Sequence, residues 1–358
     1  MRVLVAMSGG VDSSVVAAML AEQGHDVVGA TLQLYDHGAS AKRRGACCAG
    51  DDIHDAKRVA DRFGFPHYVI DAESRFRETV IEQFADAYAA GETPVPCIAC
   101  NQGVKFTDLL GLARELGCDA MATGHYVRRI EGAGGAELHR PVDAGRDQSW
   151  FLFGTTRAQL DFLRFPLGDL ASKDVVRGHA QRLGLTVAEK PDSQDLCFVP
   201  TGSYTDLVTR LRPETAQAGE IVDARGTVLG AHAGLAGYTV GQSKRLGTAA
   251  MRDGERQQVV SLDPALRRVV VGPRGGAITR DLTLRDVNWL IDRPSAPWTC
   301  QVQLRAREPV RAATIDGESV RLDEPALPAP GQACVFYDGS RILGGGFIRR
   351  PAELQGAA

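Results

Sequence analysis

No stretch of this 358-residue chain stays apolar long enough to span a bilayer, which takes about 20 consecutive apolar residues. The first residues run straight into a strand-like segment, without the basic-then-apolar pattern of a secretory leader. A cytoplasmic protein with no membrane partner is the expectation. An excess of one charge is missing too: 41 Lys and Arg stand against 44 Asp and Glu, a net charge of −3. That argues against a globally basic nucleic-acid binder and leaves RNA contact to local patches. Lys42-Arg43-Arg44, Arg128-Arg129 and the pair Arg305 and Arg307 are the candidates, although each, read alone, fits a solvated surface better. There is no internal repeat, and the one loose tail expected follows Pro351.

Also absent is a Gly-Lys-Ser/Thr step after the N-terminal glycines, so a Walker-type loop and ordinary γ-phosphoryl transfer are disfavoured. What stands there is Ser8-Gly9-Gly10-Val11-Asp12-Ser13-Ser14, directly after the apolar run Val3-Leu4-Val5-Ala6-Met7. Strand, glycine turn and helix start (residues 13–21, stopping at Gly24) gather backbone N–H groups around a concavity at the positive end of a helix. Gly9 and Gly10 admit unusual dihedrals and let an anion approach the backbone. Ser8, Ser13 and Ser14 add hydroxyls, and Asp12 is a candidate helix cap or metal ligand. The heptapeptide resembles the PP-loop of ATP pyrophosphatases, which cleave ATP between the α and β phosphates and leave an adenylate.

Strand patterns at 26–34, 67–70 and 120–123 alternate with helical patterns at 53–63, 73–89 and 106–116. Phe76, Val80, Ile81, Phe84 and Tyr88 carry the helical spacing in the longest of these. The rhythm predicts an α/β, doubly wound parallel sheet, with ligand beyond the carboxyl ends of its strands. Gly124-His125-Tyr126 would reach the same crevice. Composition shifts between Pro191 and Gly202, and residues 218–247 are Gly-rich. From Leu282 the runs alternate in the β sense, with a proline-rich connection at 325–330 and a sharp bend expected at Gly344-Gly345-Gly346. A small C-terminal β-barrel fits this pattern. The expected domains are a catalytic one at 1–205, a small central one at 206–280 and a barrel at 281–358.

Eight cysteines in a reducing compartment point away from structural disulfides. Cys118, Cys300 and Cys334 lie in apolar or strand-like surroundings and read as inert core. Cys47, Cys48, Cys97, Cys100 and Cys197 sit among Gly, Pro, Asp and Asn, which predicts loops. Thiols there suit catalysis or metal binding. Cys97-Ile98-Ala99-Cys100 lies just before the helix expected at 106, where a helix dipole would favour thiolate. Two unremarkable loop thiols and one buried thiol remain the bland alternative.

The landmarks together resemble the bacterial tRNA-specific 2-thiouridylase family through nearly the whole chain. They are residues 6–13, Cys100-Asn101 with Lys105-Phe106, Ala122-Thr123-Gly124-His125-Tyr126, Arg146-Asp147-Gln148-Ser149, Asp192-Ser193 with Cys197-Phe198, Gly241-Gln242 and Gly344-Gly345-Gly346. The resemblance implies ATP-dependent 2-thiolation of the wobble uridine, with O2 adenylated and sulfur replacing it at C2 as AMP leaves. It implies Cys100 as nucleophile and Cys197 as the persulfide-bearing cysteine, the two forming a transient disulfide. Ala6, Met7, Ser8, Gly9, Gly10, Val11, Asp12, Ser13, Leu32 and Gly124 match the ATP-binding positions. His125, Arg146, Asp147, Gln148, Arg305, Ala306 and Gln332 match the tRNA-binding ones. His125 also fits a satisfied strand-end histidine, and Arg305 a barrel-surface charge. The implied partners are the tRNA anticodon stem-loop and a sulfur-donor protein or cysteine desulfurase relay, with magnesium on the ATP.

Two positions depart from the family pattern. Leu32 replaces a common Met, with little lost against an adenine face. Cys97 stands where many members carry an Asp. With Cys100 and Cys197 it makes a CxxC plus one distant cysteine, a trio that related PP-loop enzymes use for a [4Fe–4S] cluster. Persulfide relay and cluster therefore both stand as sulfur carriers. Cys47-Cys48 fits an incidental role better than a redox pair. Two rival functions remain: another PP-loop adenylating ligase or amidotransferase, and an ATP-binding RNA adaptor without catalysis.

Overall fold

The computed structural model describes residues 1–35, 49–192, 196–199 and 202–350. Lys42-Arg43-Arg44, Cys47, Cys48, Ser193 and the tail from Pro351 lie outside the described residues. Two compact units divide the chain. Unit 1 is built from Met1–Val80, Cys97–Thr201 and Gly339–Leu343, and unit 2 from Ile81–Pro96, Gly202–Asp338 and Gly344–Ala358.

In unit 1, β1 (Arg2–Ala6), α1 (Val11–Glu22), β2 (Asp26–Gln33), α2 (Ala49–Phe63) and β3 (His67–Asp71) follow the expected alternation. The helical stretch 73–89 holds α3 (Glu73–Phe76), a π-helical turn Arg77–Glu82 and α4 (Gln83–Ala89). The boundary between the units falls inside that turn. Next come α5 (Pro96–Cys100), a π-helical segment Asn101–Leu109, α6 (Leu110–Glu115) and β4 (Ala120–Ala122). The hairpin β5 (Arg128–Gly132) and β6 (Gly135–His139), α7 (Arg157–Phe162), β7 (Leu163–Arg164) and α8 (Lys173–Arg182) complete it.

The sheet order is β3-β2-β1-β4-β7, every pair parallel. Its central strands β1, β2 and β4 are apolar on both faces, because helices cover both. Val3 and Val5 pack with Val15, Val16, Val59, Ala60, Val176 and Ala180, while Leu4, fully buried, takes the opposite face. At β1 the strand order reverses, which opens the ligand crevice at its carboxyl end.

Unit 2 contains α4, α9 (Tyr204–Leu211) and two all-β parts. The first joins β8 (Gly219–Asp223), β9 (Val228–His232), β10 (Met251–Arg252), β11 (Glu255–Asp263) and β12 (Arg268–Pro273) in the order β10-β11-β12-β8-β9. Ile221, Leu235, Tyr238, Val259, Val269 and Val271 form its core. The second is a barrel of β13 (Thr279–Trp289), β14 (Trp298–Gln303), β15 (Arg311–Asp316), β16 (Ser319–Ala326), β17 (Ala333–Asp338) and β18 (Arg341–Ile348). Its order is β13-β16-β15-β14-β17-β18, closed by β13 against β18. Gly344-Gly345-Gly346, expected as a bend, instead lies inside β18. A Cβ on Gly344 would stand 2.3 Å from the Asn288 carbonyl oxygen, so the glycine serves close strand approach. Among the described residues no helix is long and apolar enough to cross a membrane.

Candidate active site

β1 delivers the chain to the crevice, and the Met7 amide donates to Ala30 O (2.8 Å), holding the loop beside β2. Gly9 has φ +74°, and a Cβ there would meet the Asp52 carbonyl oxygen at 2.2 Å. Gly10 caps α1 with no side-chain hydrogen bond. Asp12, expected as a helix cap or a metal ligand, is not the cap: Gly10 is, and Asp12 lies in the first turn of α1. Its carboxylate accepts from Lys173 Nζ (2.7 and 2.8 Å) and Tyr126 Oη (2.7 Å). The Ser8 amide donates to Ser13 Oγ (3.1 Å), and Ser14 Oγ is buried without a hydrogen-bond partner among the described residues. Amides at the α1 N-terminus thus border a loop built for an anion.

Two lysines that sequence reasoning missed flank this loop. Lys173 opens α8 and also pairs with Asp192 (2.8 Å), which Arg146 approaches as well (2.5 Å). Burial pushes the Asp192 carboxyl up, but hydrogen bonds from Lys173 and Arg146 outweigh it and hold it below the usual range. Lys190 Nζ donates to Gly9 O (3.0 Å), Asp52 Oδ1 (2.5 Å) and Asp55 Oδ2 (2.7 Å). These cations lie far downstream and carry no motif of their own. The available signal was Lys190-Pro191-Asp192, adjoining a segment already singled out.

Cys97 and Cys100 come from a helix that starts earlier than the expected 106. Pro96 opens α5, a position that needs no N–H donor, so Cys97 and Cys100 are helical rather than in a loop. Prolines on the N-terminal side, Gly103 and the π-helical spacing of 101–109 mask that start in the sequence. Cys97 and Cys100, at i and i+3, share one helix face. Lys105 lies close enough to Cys97, Cys100 and Cys197 for each thiol to act on its charge. Burial works against the Lys105 charge, but the thiols outweigh it and raise its pKa. Its Nζ donates to Asn101 Oδ1 (3.1 Å), and Asn101 Nδ2 donates to Phe151 O (3.4 Å). Phe198, next to Cys197, packs edge-on against Phe76 at 5.9 Å.

The expected dipole-driven lowering is not what governs Cys97. It and Cys197 keep an exposed face, yet dense packing behind them raises both thiols. Burial pushes Cys97 up against the pull of Lys105. It pushes Cys197 up to about 12, with Cys100 adding to the rise. Both are therefore protonated at neutral pH. Iodoacetamide labelling of Cys197, read by peptide mass spectrometry, should climb about tenfold per pH unit from 7 to 10 without levelling. A plateau near pH 8 would contradict this placement. Among the described residues no three His, Cys, Asp or Glu side chains form a metal-holding group, so the side-chain placement lends the iron–sulfur alternative no support.

The end of β4 links loop and thiols. A Cβ on Gly124 would stand 2.9 Å from the Ser13 amide nitrogen, so this glycine permits close approach to α1. The next residue, His125, faces the other way. Its ring meets Phe106 edge-on at 5.9 Å, and Nδ1 lies 2.9 Å from Thr123 Oγ1. Burial, aided by the Lys105 charge, lowers its pKa to about 3. His125 is then neutral when folded but titrates near 6.5 when unfolded. Between those values the unfolded chain binds the extra proton, so this contribution is present above pH 6.5 and lost as pH falls toward 3. Chemical denaturation from pH 7 to 4.5 should show a shallower stability loss for His125→Asn than for the native chain.

Family comparison covers the whole architecture. Residues 1–201 match a model described as a tRNA methyl transferase HUP domain, 206–273 its PRC-barrel domain and 279–348 an aminomethyltransferase beta-barrel domain. The tRNA-specific 2-thiouridylase MnmA of Gluconobacter oxydans is 67% identical over 357 residues, covering 97% of this chain and 99% of that protein. The protein of the same name from Acidiphilium cryptum is 62% identical, covering 97% and 100%. The chain belongs to the tRNA-specific 2-thiouridylase family.

Its HUP domain is the PP-loop fold expected from the heptapeptide, and the barrels agree with the β-rich reading of the C-terminal half. Leu32 lies near the carboxyl end of β2, partly exposed. Arg146 pairs with Asp192, and Asp147 accepts from Arg140 (2.7 Å). Gln148 accepts from the Tyr126 amide (2.8 Å). In unit 2, Arg305 donates to Val240 O (3.3 Å) and lies over Gly241, while Gln332 donates to Thr93 O (2.9 Å). Ala306 follows Arg305 and is partly exposed. Arg128 and Arg129 pair with Asp169 and Glu131. The tRNA-matching side chains of unit 1 are thus held by protein partners, which fixes their directions.

Proposed function

We propose that this 2-thiouridylase family member performs ATP-dependent 2-thiolation of the wobble uridine of tRNA, with the PP-loop domain at 1–205 carrying the chemistry. The domains at 206–280 and 281–358 grip the anticodon stem-loop, to which Arg305, Ala306 and Gln332 contribute. His125, Arg146, Asp147 and Gln148 contact it from the catalytic domain. The observation that carries the reading is the adjacency at β4: Gly124 borders the nucleotide loop while His125 borders the ammonium shared by the thiols. One reacting carbon is then within reach of both ATP and sulfur.

Amides at residues 8–13, with Ala6, Met7 and the hydroxyls of Ser8 and Ser13, receive the phosphates. Lys173 and Lys190 exchange their carboxylate partners for phosphate oxygens, and Leu32 packs the adenine. Magnesium needs only one or two carboxylates beside phosphate and water, and Asp12 is the carboxylate at the loop.

Uridine O2 attacks the α-phosphorus and pyrophosphate leaves. The terminal sulfur of a Cys197 persulfide adds to C2. Cys100 thiolate then attacks the Cys197 sulfur, the S–S bond breaks toward the base, and the sulfur on C2 expels AMP. The products are 2-thiouridine, AMP and a Cys100–Cys197 disulfide, which a dithiol reductant reopens. A sulfur-donor protein of the cytoplasm reloads Cys197. Lys105 favours the thiolate forms during these steps. The persulfide route is preferred to a [4Fe–4S] cluster on Cys97, Cys100 and Cys197 because the described side chains form no metal-holding group. Pyrophosphate release from ATP should require unmodified tRNA; release without tRNA, or none with it, would overturn adenylation of the base.

A further inference from the structure

We infer that Asp192 is a positioning residue that couples the two substrates: when ATP draws Lys173 away, the Asp192 carboxylate passes wholly to Arg146 and fixes that guanidinium for the tRNA. The inference rests on the proposed function, which assigns Lys173 to phosphate and Arg146 to tRNA. No covalent bond changes; ion-pair partners are redistributed within unit 1.

Three observations carry this. One carboxylate serves two cations: Lys173 Nζ lies 2.8 Å from Asp192 Oδ1 and Arg146 Nη1 2.5 Å from Oδ2, while Arg177 stands back at 3.8 Å. Second, the two cations differ in exposure. The Lys173 side chain is 8% exposed and the Arg146 side chain 40%, so the lysine is enclosed beside the nucleotide loop and the guanidinium is open to an arriving ligand. Third, the departure of Lys173 strands neither of its carboxylates. Asp12 keeps the hydrogen bond from Tyr126 Oη (2.7 Å), and Asp192 keeps Arg146. A buried charge left alone would be costly; here each retains a donor. Arg146 meets Asp192 through one nitrogen, which leaves its other N–H groups for RNA. With Lys173 gone, the carboxylate is no longer shared and the repulsion between the two cations ends. Arg146 is then held more firmly, and a held guanidinium loses less freedom on binding.

The test measures equilibrium binding of unmodified tRNA and the uncleavable analogue α,β-methylene-ATP to the full chain, at one fixed salt concentration because phosphate contacts are salt-dependent. Saturating analogue should tighten tRNA binding about fivefold or more, and saturating tRNA should tighten the analogue by the same factor, as linkage requires. Asp192→Asn keeps the shape of the side chain and loses its charge. There the tightening should vanish or reverse, because only the added negative charge of the nucleotide acts on the RNA. Arg146→Gln, at a more exposed side chain, should abolish it too, and decides the matter if Asp192→Asn folds poorly. No tightening in the native chain, or undiminished tightening in Asp192→Asn or Arg146→Gln, would overturn the inference. Native protein that forms 2-thiouridine from ATP and a persulfide donor yet shows no tightening would overturn the inference alone. Absence of both would overturn the proposed function with it.

Discussion

Cys100→Ser and Cys197→Ser should each lower 2-thiouridine formation by on the order of 10³-fold or more, while tRNA-dependent pyrophosphate release persists through the first turnover. The split follows from the division of labour at β4. Phosphate chemistry belongs to the loop, whose amides, Lys173 and Lys190 neither substitution touches. Sulfur delivery needs two thiols with different tasks, so neither can replace the other. Serine is nearly isosteric, and Cys100 is buried in the α5 face, so the fold should tolerate it. Quantifying thiolated nucleoside and pyrophosphate in the same reaction separates the steps. If both variants kept full thiolation, a ligase or amidotransferase on the same loop would be the better reading.

Gly9→Ala should abolish ATP use and lower the melting temperature. The backbone at φ +74° disfavours a side chain by about 1 kcal/mol or more. Beyond that, the new Cβ would stand 2.2 Å from the Asp52 carbonyl oxygen, a backbone atom that cannot rotate away. Relief requires moving α2, and with it the Asp52 and Asp55 carboxylates that hold Lys190. Gly10→Ala is the control, because its Cβ would meet only Ser8 Oγ at an ordinary 3.6 Å. Differential scanning calorimetry should show a drop for Gly9→Ala alone. Equal melting temperatures for the two variants would contradict the steric account of this loop.

Much of unit 1 was legible because local and global signals agree there. Val3-Leu4-Val5 is apolar on both faces, as a central parallel strand must be, and Gly9-Gly10 marks the turn into α1. The start of α5 was illegible because Pro94 and Pro96 read as loop punctuation, although Pro96 stands at a helix start that tolerates it. Asp12 misled for another reason: short-range rules made it a cap, while its partners Lys173 and Tyr126 come from remote segments. Long-range electrostatics leaves no periodic trace. The triple glycine of β18 failed similarly, since glycine signals a bend locally but here admits the β13 backbone. For the thiols, the CxxC spacing revealed the proximity of Cys97 and Cys100, yet not the packing that raises Cys97 against the helix dipole.

The most direct test is nucleoside mass spectrometry of unmodified tRNA incubated with ATP, a persulfide donor and dithiol, using protein verified to be free of iron and acid-labile sulfide. The expected result is 2-thiouridine at the wobble position, dependent on ATP and on both Cys100 and Cys197. Thiolation appearing only after iron–sulfur reconstitution, or no thiolated nucleoside under any of these conditions, would contradict persulfide-driven thiolation at this site.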